Sequence, residues 1–151
     1  MTATLAAAFQ RGNARKAKWQ GTTVHSVLRI QVGEGDILRI SRRTSSPSRA
    51  QALKVATDRG EVRANGIVVP VVAIWSHTAP PEVVVEVVGR RTRTVDLWNA
   101  WSFQGVDSAW LGNAGMIVES TGDSHLLRCS DGLGDVSFDD LVVHVDHERR
   151  D

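Results

Sequence analysis

The chain has 151 residues, 42% of them hydrophobic and 23% charged, with 18 Lys+Arg against 17 Asp+Glu. That composition excludes a disordered or fibrous chain, and the length suits one domain burying roughly 70% of the surface its unfolded form exposes. The near-neutral total hides a gradient. Residues 1–50 carry nine basic and two acidic side chains, residues 51–100 six and five, and residues 101–151 three and ten. Such a gradient can mark an acidic tail, a basic arm for nucleic acid, or strands that neutralise one another once folded.

At the N-terminus Thr2–Phe9 is apolar and short, and Arg11, Arg15, Lys16 and Lys18 follow it, the reverse of signal-peptide order. Leu5, Ala8 and Phe9 can share one face of a short helix within Leu5–Lys18, so residues 1–20 read as an N-terminal segment with helical potential. Val24, Ser26, Leu28, Ile30 and Val32 alternate with His25, Arg29 and Gln31, as in a half-buried strand. Gly33-Glu34-Gly35-Asp36 then turns the chain into Ile37–Arg43, predicting a hairpin, and the polar run Arg42–Arg49 predicts a loop.

Leu53–Thr57 and Glu61–Ala64 read as short strands around Asp58-Arg59-Gly60. Asn65-Gly66 between Val62 and Ile67 is the strongest hairpin signal, because a type I′ turn needs positive φ at both central residues. Ile67–Trp75 and Val83–Val88 are apolar on both parities, which predicts central strands covered on both faces, with a bulge or an edge at Pro70. Arg93–Phe103 alternates again and turns at Gln104-Gly105. Trp110–Glu119, interrupted by Gly112–Gly115, then His125–Cys129 and Phe138–Val145 complete roughly ten strands, and residues 146–151 read as a polar tail. The spacing predicts a single all-β domain over 1–151, a two-sheet antiparallel sandwich of jelly-roll type, with an up-and-down barrel as the competing architecture.

Five tryptophans stand beside three phenylalanines and no tyrosine. Trp98 and Trp101 are three apart, so on one regular strand they face opposite ways, and one of them is a candidate exposed platform. A flat indole stacks on the apolar face of a sugar ring or on a base, and its N–H can donate to a ligand. Trp98, Trp101 and Trp110, with the amides of Asn99 and Asn113 and with Gln104 nearby, form the candidate ligand-binding set.

Asp131, Asp135 and Asp139 offer hard oxygen ligands of the kind Ca²⁺ takes, but the EF-hand order is absent and turn carboxylates facing water are the favoured reading. The closing run Phe138-Asp139-Asp140-Leu141-Val142-Val143 resembles the last strand of some jelly-roll glycan-binding modules, whose acidic residues hold a structural calcium. The resemblance is confined to that run and transfers no site, so no cofactor is expected. Asp139 and Asp140 point to opposite faces, and the one nearer the core needs an arginine, with Arg128 a candidate.

His25, His77, His125, His144 and His147 lack the His-x-His spacing of a cupin-like metal triad, and the sequence has no Gly-x-Ser-x-Gly elbow and no phosphate-binding glycine loop. No catalytic residue is assigned. Cys129 is the single cysteine, so no intrachain disulfide forms. No stretch approaches the ~18 apolar residues of a membrane helix. A soluble cytoplasmic protein is expected, and arginine outnumbers lysine fifteen to three, the usage of a GC-rich bacterial genome. The basic residues Arg11, Arg15, Lys16, Lys18, Arg42, Arg43 and Arg49 could track phosphates, yet the pI of about 8.0 and the acidic final third argue against nucleic acid as partner.

The expectation is therefore a non-enzymatic β-sandwich with a Trp-rich recognition surface for a glycan or small molecule. The competitors are a small β-barrel enzyme acting on a small apolar substrate and a self-associating homo-oligomer joined through complementary patches. Within the fold, Arg29, Arg39 and Arg42 are expected to face Asp139, Asp140 or Asp146 across a sheet.

Overall fold

A computed structural model describes residues 3–150. Residues 1, 2 and 151, at the outer ends of the expected N-terminal segment and polar tail, lie outside that range. In chain order the elements are α1 (Leu5–Arg11), β1 (Lys16–Trp19), β2 (Thr22–His25), β3 (Leu28–Gln31), β4 (Ile37–Ser45), β5 (Ala50–Thr57), β6 (Glu61–Ala64) and β7 (Ile67–Val69). They continue with β8 (Val71–Trp75), β9 (Glu82–Val88), β10 (Thr94–Phe103), β11 (Val106–Ser108), β12 (Gly115–Thr121), β13 (Ser124–Ser130) and β14 (Leu141–Glu148).

The strands divide between two antiparallel sheets, as expected for an all-β sandwich. The larger sheet has the order β1-β2-β12-β13-β14-β4-β9-β6-β7. The smaller one runs β11-β10-β5-β8, and β3 shares with β11 the same flank of β10. Period-two alternation sends Val95 and Leu97 of β10 and Leu53 and Val55 of β5 inward, against Leu38, Ile40, Val85, Leu127, Val143 and Val145 of the larger sheet. This contiguous aliphatic cluster is the main stabilising element, at roughly 25 cal/mol per Å² of apolar surface removed from water.

Several local expectations hold and several are corrected by the second sheet. Asn65 and Gly66 have φ of 52° and 76° and join β6 to β7 in a tight hairpin. Gln104 and Gly105 do the same between β10 and β11, with φ of 52° and 78°. The alternating run from Val24 to Val32 is not one strand: it breaks at Ser26-Val27, leaving β2 in the larger sheet and β3 in the smaller. Nor is Gly33–Asp36 a hairpin turn, because β3 pairs with β10 whereas β4 pairs with β14 and β9. Alternation reports which face is buried, and a strand that changes sheets keeps the same inward parity.

The apolar run at Ile67–Trp75 is likewise not central. Pro70, which has no N–H for a ladder, divides it into β7 and β8, one at an edge of each sheet. Ile67 is accordingly 62% exposed. β9 does lie inside its sheet, between β4 and β6, but only Val85 and Val87 are core, and Val84 stays exposed. The predicted polar tail begins late, since β14 runs to Glu148 and His147 on it is buried.

The charge gradient is partly spent inside the fold. Arg39 sits opposite Asp146 in the β4–β14 ladder, and its guanidinium contacts Glu148 at 2.7 Å and Glu82 at 3.7 Å. Arg29 takes Asp96 rather than a C-terminal carboxylate, and Arg42 donates to the Ala79 carbonyl. A buried link joins the basic first third to the acidic last: Asp131 accepts from Arg49 Nε at 3.0 Å and from Gln51 Nε2 at 2.9 Å.

Candidate functional site

The site is set by a break in pairing. Along one flank of β10, β3 covers Thr94–Leu97 and β11 covers Trp101–Phe103, and Trp98–Ala100 between them has no strand partner on that side. Trp98 projects from the outer face of β10, and the loop after β11 brings Trp110 onto it. The two indoles stack with centroids 5.2 Å apart and planes 24° from parallel. Trp110 adopts φ +59°, the left-handed region that a bulky side chain avoids, and its Nε1–H donates to the Ser26 carbonyl at 2.9 Å. A residue held in that conformation costs of order 1–3 kcal/mol and persists only where its surroundings over-determine it.

Trp98 and Trp110 form part of the wall of a cleft of about 620 Å³. Phe9 and Ala6 of α1, Val27 and Ala56 add apolar lining, and Gln10, Ser26, Thr57 and Asp96 are its polar groups. Asp96 is clamped by Arg29 in a two-point contact, Nε–Oδ1 2.8 Å and Nη2–Oδ2 3.0 Å. Helix α1 forms because Thr4 caps it, accepting from Ala7 N–H at 3.1 Å, and because Leu5 and Ala8 bury one face. It is shorter than the Leu5–Lys18 window. Gly115 admits it: a methyl group there would stand 2.6 Å from Val24 Cγ1 and 3.2 Å from Leu5 Cδ1.

The five residues expected to bind ligand separate. Trp98 and Trp110 meet in the cleft. Trp101, 2% exposed, faces inward and packs over Gly132, where any side chain would collide with the indole. Asn99 is buried beside it and donates to the Ser130 carbonyl at 2.9 Å. Asn113 ties the start of α1 to a neighbouring turn: Oδ1 accepts from Leu5 N–H at 3.2 Å and Nδ2 donates to the Gly134 carbonyl at 2.8 Å. Sequence reasoning did not anticipate Ser26, Phe9 or Ala6, because nothing in residues 1–27 signals that they approach residue 110.

The acidic stretch does not converge. Asp131 is engaged by Arg49 and Gln51, Asp135 is exposed, and Arg128, expected to serve whichever of Asp139 and Asp140 lay nearer the core, instead lies 3.5 Å from the exposed Asp139. The half-buried Asp140 accepts from Asp131 N–H at 3.0 Å, and burial above all holds its pKa above the ordinary carboxylate value. Among the described residues no three of His, Cys, Asp or Glu group closely enough to hold a metal ion. Cys129 is buried, and desolvation pushes its thiol pKa upward, away from thiolate reactivity. Burial, followed by the Lys16 charge, holds His25 below the usual histidine value, so its ring is neutral at pH 7.

Compared with protein-family models, with curated proteins and with solved structures, the chain matches none of them.

Proposed function

We propose that this chain is a non-enzymatic ligand-binding domain whose Trp98–Trp110 cleft receives a small molecule with a flat apolar face and polar edges, a sugar ring being the simplest example. The observation that carries the reading is the position of Trp110, in a left-handed backbone, pinned by the Ser26 carbonyl and stacked on Trp98. A backbone outlier that places an exposed aromatic at a cleft is the kind of strain found at binding sites. The cleft volume of about 620 Å³ falls within the span of small-molecule sites, and its walls are mainly apolar with a few polar groups. A cytoplasmic setting goes with this reading, since the single buried thiol asks for no oxidising compartment.

The test is a titration of tryptophan fluorescence against mono- and disaccharides and uncharged aromatic rings such as indole. A saturable change in emission is expected with at least one ring, weakened at least about tenfold in Trp110→Ala, as loss of a stacked aromatic contact predicts. Silence across the whole panel would remove the proposal.

A further inference from the structure

The cleft continues beyond its tryptophans. Val27 also lines a second hollow of about 450 Å³, bounded by Asn13, Arg15, Lys16 and His25. Gln31 and Thr94 are shared in turn with a third, of about 530 Å³, flanked by Arg93, Arg149 and Arg150. Three linked basins therefore run from the indole pair along the β3 side of the molecule. Among the described residues only two carboxylates line them, and both are engaged. Asp96 is held by Arg29, and Asp36 is buried against the His147 ring and the Arg150 and Gly33 N–H groups. Arg149 is occupied by Asp123 at 3.0 Å. Arg15, Lys16, Arg93 and Arg150 have no ion-pair partner among the described residues.

We infer that the ligand of this site is a nucleobase joined to phosphate, its base stacking at Trp98 and Trp110 and its phosphates followed by Arg15, Lys16, Arg93 and Arg150. The inference rests on the reading of the tryptophan cleft as a ring-binding site. A stacking platform opening onto a cationic groove is the combination that single-stranded nucleic acid recognition uses, because every base has a π-face and every link a charge. A cleft serving only neutral sugars has no use for four cations along its extension that no described carboxylate pairs. None of the described carboxylates of the acidic final third lines these basins, and three of them are paired with arginines elsewhere: Asp131 with Arg49, Glu148 with Arg39 and Asp123 with Arg149. A mononucleotide would use the first two basins, and an oligonucleotide would use all three.

The probes are thymidine, thymidine monophosphate, oligothymidylate and heparin, followed by tryptophan emission and by fluorescence anisotropy of labelled oligonucleotide and heparin. Oligothymidylate should quench the indoles, with log K falling against log salt at a slope of roughly −0.7 per phosphate engaged, about −3 if all four cations take part. The surface double variant Arg15→Glu/Lys16→Glu should weaken binding about tenfold with an unchanged far-UV circular dichroism spectrum. Tighter binding of the oligomer than of the monophosphate identifies a strand as the ligand, and equal binding identifies a free nucleotide; either upholds the inference. If uncharged rings quench while neither phosphate-bearing probe binds better than thymidine, the inference fails and the ring cleft stands. Heparin binding as tightly as oligothymidylate with silent tryptophans would reduce the groove to a general polyanion surface and overturn it. No response to any ring would remove the cleft reading as well.

Discussion

Asp131 shows how far a single side chain can bind the ends of this chain together. It is fully buried, accepts from Arg49, Gln51 and the Leu133 N–H, and so joins residues 80 and 82 positions apart. Removing its charge leaves a mostly covered guanidinium with a weaker partner, and such losses cost about 2–4 kcal/mol. Asp131→Asn should therefore lower the urea midpoint by that equivalent, whereas Asp135→Asn, at an exposed position, should leave it unchanged. The tryptophans mark the limit of residue-level reading. Spacing places Trp98 and Trp101 on opposite faces, and the structure agrees. Which of them is inward depends on the larger sheet and on Gly132, and neither is visible in a three-residue interval.

At the scale of elements, the cleft depends on how α1 is tethered. Asn113 holds the first N–H of the helix and the Gly134 carbonyl, and Ala6 N–H bonds the Gly112 carbonyl at 2.8 Å. Asn113→Ala should cost about 1 kcal/mol, near 3 °C in melting temperature, and should broaden the tryptophan emission because the wall carrying Phe9 loosens. The hairpin at Asn65-Gly66 was legible, since positive φ is a local requirement that Asn and Gly meet, and Gly105 marked the turn at Gln104-Gly105. The breaks at Ser26-Val27 and Gly33–Asp36 were not. A strand that passes from one sheet to the other keeps its alternation, so the pattern reads as continuous until its partners are known. Ile67–Trp75 read as central because aliphatic residues on both parities describe an exposed edge as well as a covered strand, and only Pro70 signalled the edge that is found.

Across the whole molecule, the β3–β4 crossover is fastened to the last strand through Asp36. Burial raises its pKa, but bonds from the Arg150 N–H, the His147 ring at 2.8 Å and the Gly33 N–H outweigh that and hold it below the ordinary 3.8. A carboxyl with a lowered folded value contributes stability that is complete above the unfolded pKa and is lost as pH falls through the folded one. Urea midpoints measured downward from pH 5 should drop below about pH 4, and Asp36→Asn should flatten that decline while keeping an acceptor for Arg150.

From the sequence alone came the all-β class, the turns at Asn65-Gly66 and Gln104-Gly105, the alternation within Val24–Val32 and Arg93–Phe103 and the opposition of Trp98 to Trp101. These follow from local sterics and from a side-chain period of two, which need no partner to operate. The tertiary structure alone decided which strands change sheets, that Arg49 would meet Asp131, and that Trp110 would lie on Trp98 where β10 lacks a neighbour. Each of those joins residues far apart in the chain, and no local energy term distinguishes among the many long-range pairings a strand could accept.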